Sequence, residues 1–223
     1  MTLLEAVKER HSVRKYADKA IEADKIAVLQ AAVADANRAS GLHIQLVLNE
    51  PRAFSEGLFK YGVFSGVSNY WVMAGPKGKD EEVGYYGERL VLLAQTLGLH
   101  TCWVGLTYKK IPGTYVLEKG EQVYCVISLG YGLNAGVPHP LRPAEKFYET
   151  GGRPAPAWFL DGVAAAVLAP TAVHQQKFRF FLHENGQVSA KALFSWVGYA
   201  QIDLGIAKCH FELGAGKENF SWT

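Results

Sequence analysis

The 223-residue chain has little cysteine, no long apolar run and almost no net charge, and each shortage removes a class of protein. Cys102, Cys125 and Cys209 are too few and too scattered for a disulfide framework. Cys102 and Cys125 lie in apolar, strand-like runs where a buried thiol is expected, which suits a reducing cytoplasm. The longest apolar runs, such as residues 163–169, fall far short of a spanning helix, and the N-terminus lacks the basic-then-apolar layout of a signal peptide. Neither export nor membrane insertion is expected. A formal charge of +2, with Lys and Arg dispersed, gives no argument for nucleic acid as a partner.

Several signature motifs are missing as well. Phe211 stands where the first glycine of a phosphate-binding G-x-x-x-x-G-K would precede Gly216-Lys217, and the chain has no H-E-x-x-H, paired C-x-x-C or G-x-S-x-G. No metal site is expected. His210, beside Cys209 in a helical pattern without a second ligand three or four residues away, reads as a packed or half-exposed histidine.

What the chain does have is a composition, 49% hydrophobic and 20% charged, that can bury a sizeable core. Thr2 and Glu5 form a capping box ahead of Leu3, Leu4 and Val7 at helical spacing, so a short helix delivers the segment Arg10-His11-Ser12-Val13-Arg14. Two guanidinium groups four residues apart with a hydroxyl between them suit a dianionic phosphate, and a nucleotide-like ligand is the first expectation. Asp24 is expected to cap a second helix running to about Asn37 and marked at its end by Ser40-Gly41, followed by a strand at residues 43–48 and a turn at 49–52. Residues 54–67 read as mixed helix and loop. Residues 70–74 read as a strand stopped by Gly75-Pro76, 77–82 as a solvated charged turn, and 84–97 as a buried helix capped by Gly98. Two further strands are expected at 101–105 and 122–129. The second runs into a glycine-rich stretch, 130–136, with the look of a dinucleotide fingerprint. Val137-Pro138-His139-Pro140 forbids the helix that such a fingerprint requires.

Residues 138–156, rich in Pro and Gly, read as a linker, and the chain beyond it repeats features of the chain ahead of it. Gly84-Tyr85 heads an apolar helix and so does Gly198-Tyr199, with Leu90, Leu92 and Leu97 matched by Leu204, Ile206 and Phe211. The helix-turn-strand at 31–48 is matched by 165–182, whose strand is 178–182. This recurrence suggests two unequal halves, 1–150 and 151–223, related by an approximate two-fold as in an isologous dimer.

Three segments together carry a family resemblance: R-x-S-x-R after a short helix, G-L-x-x-x-W-x-G at residues 98–105, and Ala169-Pro170-Thr171-Ala172-Val173-His174-Gln175-Gln176 before a strand. The chain resembles the flavin-dependent nitroreductases, in particular a branch in which one polypeptide contains the equivalent of the usual dimer. The resemblance implies an α+β nitroreductase-like fold with FMN between the halves. By the same resemblance, Arg10, His11, Ser12 and Arg14 hold the phosphate, with Arg142 as a further basic candidate, and Val104, Gly105 and Leu106 face the flavin ring. Pro170, Thr171, Ala172, His174 and Gln176 correspond to the partner's P-S-x-x-N-x-Q segment over the isoalloxazine. His174 stands in place of the usual Asn and adds a titratable group there.

The arginine segment occurs only in the first half and the Pro-Thr segment only in the second, so one flavin site can be complete and the other cannot. The implied activity is NAD(P)H-driven reduction of a small electron-poor acceptor such as a quinone or nitroaromatic, with no catalytic acid or base nominated. A monomer is then sufficient, and a further dimer stays open. The alternative is a non-catalytic flavin-binding or degenerate scaffold protein that kept the fold.

Overall fold

The computed structural model describes residues 1–55 and 63–223. Residues 56–62, within the segment expected as mixed helix and loop, lie outside the described residues. Two compact units interleave along the chain: Met1–Lys8, Asp80–Arg89 and His139–Thr223 form one, and Glu9–Lys79 and Leu90–Pro138 the other. Among the described residues no helix is long and apolar enough to cross a membrane.

The chain opens with α1 (Leu3–Glu9), and its expected capping box is formed. Thr2 Oγ1 accepts from the Glu5 N–H at 3.2 Å while the Thr2 N–H donates to Glu5 Oε2 at 2.7 Å, satisfying two donors that the first helical turn would leave open.

The four-stranded unit contains α2 (Ala23–Ser40) and the strands β1 (Gln45–Val47), β2 (Asn69–Pro76), β3 (His100–Val104) and β4 (Glu121–Gly130). The strands pair antiparallel in the order β1-β2-β4-β3. Asp24 is not the cap of α2. Glu22 occupies that position without a side-chain cap bond, and Asp24 lies in the first turn, where its charge complements the positive end of the helix dipole. The helix runs three residues past Asn37, to the end marker expected at Ser40-Gly41. It stops where Gly41 adopts φ +70° and returns its N–H to the Asn37 carbonyl at 2.9 Å, a left-handed cap that glycine takes without strain. Asn37 then bonds both the N–H and the carbonyl of Ile44, at 2.8 and 2.9 Å, and so aims the chain into β1.

Alternation along β2 buries both of its faces. Tyr70, Val72 and Ala74 join Val47, Val104 and Val126 in one cluster, and Trp71 and Met73 are equally buried from the opposite side. The strand takes in Gly75 and ends at Pro76, the stop expected, two residues beyond Ala74. Pro76 forms its last pair, with Glu121, at an end where proline's missing N–H costs no interior ladder bond.

The helix α3 (Asp80–Thr96) starts four residues before the expected Gly84. Asp80, Glu81 and Glu82, read from sequence as a solvated turn, are its first turn, again on the favourable side of the dipole. Its first half belongs to the three-stranded unit and its second half, with Leu90, Leu92 and Ala94 buried, to the four-stranded one.

The three-stranded unit contains β5 (Tyr148–Glu149), α4 (Ala157–Val167), β6 (Phe178–Leu182), β7 (Val188–Ala192) and α5 (Ala200–Ala215). β6 pairs parallel with β5 and antiparallel with β7. The expected linker at 138–156 is therefore in part sheet. Phe147 is buried with its ring 5.2 Å from that of Phe178, and this burial anchors β5 directly after it. α5 is nearly all buried, and it meets the start of α3 backbone to backbone: a Cβ added at Gly84 would lie 2.0 Å from the Ile202 carbonyl oxygen, and one at Gly205 2.0 Å from that of Glu81. Only glycine permits that crossing. Beside it, Glu88 and His210 are both fully buried, with His210 Nε2 2.9 Å from Glu88 Oε1 and His210 Nδ1–H donating to the Ala165 carbonyl at 3.1 Å. One side chain from α5 thus ties α3 to α4.

Candidate functional site

In the four-stranded unit the segment Arg10–Arg14 is held as an extra edge beside β3. Ser12 pairs parallel with Thr101, the Val13 N–H donates to the Thr101 carbonyl at 3.0 Å, and Val13 is fully buried. On its other side the chain is fixed by Ser65, which donates its N–H to the Arg14 carbonyl at 3.0 Å and accepts the Tyr16 N–H at 2.9 Å. The glycine-rich stretch closes over it: the Leu133 N–H donates to the Lys15 carbonyl at 2.9 Å, and a Cβ at Gly136 would lie 2.7 Å from that of His11. The stretch that resembled a dinucleotide fingerprint is followed by no helix until a 3-10 turn at Ala144–Phe147, and it serves instead as a wall of this segment.

Beneath the segment is a buried polar floor. The Tyr16 hydroxyl lies 2.8 Å from both the Val13 carbonyl and Ser128 Oγ, and Ser128 Oγ donates to the Cys102 carbonyl at 3.3 Å. Burial raises the Tyr16 phenol well above its ordinary range, so it stays protonated as a donor. Burial likewise pushes the Cys102 thiol up, opposed by the Arg14 charge, a hydrogen bond with the Ser12 side chain and the Arg10 charge. The Ser12 side chain thus bonds the Cys102 thiol, and the charges of Arg14 and Arg10 both act on it. Arg10 is buried, Arg14 exposed, and His11 and Ser12 half-buried. The Nδ1 atom of His11 is buried with no hydrogen-bond partner among the described residues, an arrangement that water or a ligand would normally satisfy. β3 ends at the buried Val104 and opens onto the half-buried Gly105 and then Leu106, which is 74% exposed.

In the three-stranded unit, residues 170–176 form a strained loop between α4 and β6. Val173, His174 and Gln176 all have positive φ, at +46°, +54° and +47°, and for a β-branched valine that is a rare conformation held only by surrounding bonds. Those bonds are present. The Thr171 hydroxyl accepts the Gln176 N–H at 3.0 Å, and Gln176 Nε2 donates to the Val167 carbonyl at 2.9 Å. Asp203 on α5 accepts from the Ala172 N–H at 3.0 and 3.2 Å and from Gln175 Nε2 at 2.7 Å. Pro170 is buried and Gln176 is spent on the loop itself, whereas Val173 and His174 are exposed. The His174 ring stacks on His139, with centroids 5.4 Å apart and planes 21° from parallel, and His139 Nε2–H donates to the Val167 carbonyl at 3.1 Å. Arg142 is exposed in this unit. Among the described residues no group of three or more His, Cys, Asp or Glu is placed to hold a metal ion.

Asp203, Gln175 and His139 escaped the sequence reading. The available signal was an acid inside the apolar run Ile202-Asp203-Leu204, which a helix face cannot bury without partners. Burial raises the Asp203 carboxyl to about 6, against the pull of Gln175 and the Ala172 N–H. A folded-state value above the unfolded one makes its contribution to stability greatest below pH 3.8 and diminishing as the pH rises through 6. The difference in unfolding free energy between the wild type and Asp203→Asn is therefore expected to shift against the wild type from pH 4 to pH 7. Urea titrations at stepped pH measure this, and a pH-independent difference would contradict the assignment.

The α+β fold, with two arginines and a serine on the segment beside β3 and a strained loop after α4, is that of a nitroreductase-like protein. The family described as "Putative TM nitroreductase" matches residues 2–215, and the chain belongs to it, among the oxidoreductases. A putative nitroreductase from Thermotoga maritima MSB8 has a similar structure at 21% identity and TM-score 0.71, covering 98% of this chain and 85% of its own. A putative nitroreductase in complex with FMN from Desulfovibrio desulfuricans is similar over 70% of this chain and 99% of its own, at 17% identity and TM-score 0.53. The corresponding values for a putative NADH dehydrogenase/NAD(P)H nitroreductase from Parabacteroides distasonis are 66%, 96%, 22% and 0.51. Comparison with curated proteins finds no match.

Proposed function

We propose that the protein is an FMN-dependent oxidoreductase that takes reducing equivalents from NADH or NADPH and passes them to a small electron-poor acceptor such as a quinone or nitroaromatic. The observation that carries this reading is the donor set on the segment paired with Thr101 beside β3: Arg10, Ser12 and Arg14, with both arginine charges acting on the Cys102 thiol, and a buried Nδ1 of His11 in the same segment with no hydrogen-bond partner among the described residues. These residues fit a dianionic phosphate in charge, number and donor type. When bound, FMN supplies reversible two-electron transfer.

The chain's own contribution is to bind and orient. Arg10 and Arg14 neutralise the phosphate, Ser12 and His11 direct it, and the exposed backbone after Val104 offers Gly105 and Leu106 to the ring. Arg142 is a further basic candidate for the phosphate. Pro170, Thr171, Ala172, His174 and Gln176 are the further candidates for the cofactor, with the exposed His174 in place of the family's usual Asn. The two halves play the parts of two subunits in this reading, so that one copy of the chain suffices. Its support is the recurrence of a helix leading to a strand, α2 to β1 and α4 to β6. The test is the absorption spectrum of the purified, FMN-reconstituted protein and its response to nicotinamide donors. Flavin bands that bleach anaerobically with NADH or NADPH and recover with a quinone are expected. A protein that binds FMN but is reduced by neither donor is a flavin-binding module, and one that refuses FMN is a scaffold.

A further inference from the structure

The connection from β7 to α5 carries two aromatic side chains that the fold does not use. Phe194 is 72% exposed and Trp196 92%, whereas the intervening Ser195 turns inward. Its Oγ donates to Gln175 Oε1 and accepts the Val197 N–H at 3.1 Å, and Gln175 Nε2 in turn donates to the Gly198 carbonyl at 3.0 Å. The same Gln175 is the residue that, with Asp203, holds the Pro-Thr loop. Two rings are thus presented to solvent from a stretch anchored to the loop proposed as a cofactor contact, with centroids 4.9 Å apart and planes at 85°.

We propose that Phe194 and Trp196 form the docking platform for the planar, electron-poor ring of the acceptor; this rests on the proposed FMN-dependent function. Three features argue for that occupant. Phenyl and indole faces are electron-rich and stack favourably on an electron-poor ring, and the perpendicular arrangement leaves each with an open face. Residues 193–199 carry no charge, so the stretch offers nothing to a phosphate or carboxylate. The two rings can bury about 300 to 500 Å² in all, well short of the roughly 800 Å² per partner that a stable protein interface needs but ample for one small aromatic molecule.

Trp196 is also the one exposed tryptophan among the five, so its emission reports directly on the platform. The experiment titrates menadione and 4-nitrobenzamide into the purified protein without a nicotinamide donor, following tryptophan emission corrected for absorbance, with and without added FMN. Saturable quenching is expected in the wild type. In Phe194→Ala/Trp196→Leu, the remaining tryptophans should show a roughly tenfold or greater loss of apparent affinity, with FMN affinity unchanged. Equilibrium dialysis of the same ligands checks this without relying on the indole. Wild-type affinity in the double variant overturns the platform while leaving the flavin reading intact. Sedimentation that shows a dimer dissociated by the double substitution also overturns it, because the rings would then belong to an interface between copies. Conversely, ring binding lost in the variant of a protein that takes no FMN supports the platform and removes the flavin reading.

Discussion

Replacing Arg10 and Arg14 together by alanine is expected to weaken FMN binding by roughly two to four orders of magnitude, because each charge-assisted phosphate contact contributes about 1.5 to 3 kcal/mol. Both side chains are carried by a segment held through backbone bonds that alanine preserves: the Ser12–Thr101 pairing, the Val13–Thr101 bond and the Arg14–Ser65 bond. Arg14 is exposed, so its loss leaves packing unchanged; Arg10 is 7% exposed and contributes its stem to the unit. Arg10→Lys/Arg14→Lys separates the two effects. It retains charge and stem but loses the planar fork, and an intermediate affinity is expected. Flavin-fluorescence titration measures the affinities and circular dichroism the fold. An alanine variant that folds and binds FMN like the wild type would remove the phosphate assignment.

The second large effect is expected in the three-stranded unit. His210→Ala should destabilise it by about 3 to 5 kcal/mol, since it leaves the Glu88 carboxyl fully buried without the imidazole opposite. Nδ1–H is committed to the Ala165 carbonyl, which leaves Nε2 as the atom that meets Glu88. The apolar pair Glu88→Leu/His210→Phe tests whether the polar contact or only its symmetry matters. Removing both partners at similar volume should cost far less than removing one, and could stabilise the unit. Urea denaturation followed by near-ultraviolet circular dichroism gives both numbers. Equal losses in the single and double variants would mean that helix packing, not the contact between His210 and Glu88, fixes α3, α4 and α5.

The site was legible where chemistry is local. The R-x-S-x-R spacing pointed to the segment proposed as the phosphate clamp, and the Pro-Thr segment to a loop that proves strained. The partners that hold them were not legible, because they come from distant stretches: Thr101, Ser65 and Gly136 for the clamp, and Asp203 and Gln175 for the loop. Elements showed the same division. The capping box at Thr2 and Glu5 and the strand at residues 178–182 are formed as expected, since each is fixed by neighbours a few positions away. The acidic run at 80–82 was misread because a first helical turn and a solvated loop share a composition, and only tertiary packing separates them. Phe147 and Tyr148 were hidden among prolines and glycines, and only the approach of β6 makes a strand there.

By itself the sequence determined the class of fold and the absence of a helix directly after the glycine-rich stretch, and it marked the segment proposed as the phosphate clamp, because turn residues, caps and charge spacing act through covalent neighbours. Tertiary structure alone decided that Gly84 and Gly205 let α3 and α5 touch backbone to backbone, that His210 meets Glu88, and that Asp203 keeps its proton to about pH 6. Those outcomes depend on desolvation and close approach between segments more than a hundred residues apart or on facing sides of a loop. No local pattern encodes the distance at which two such groups will come to rest.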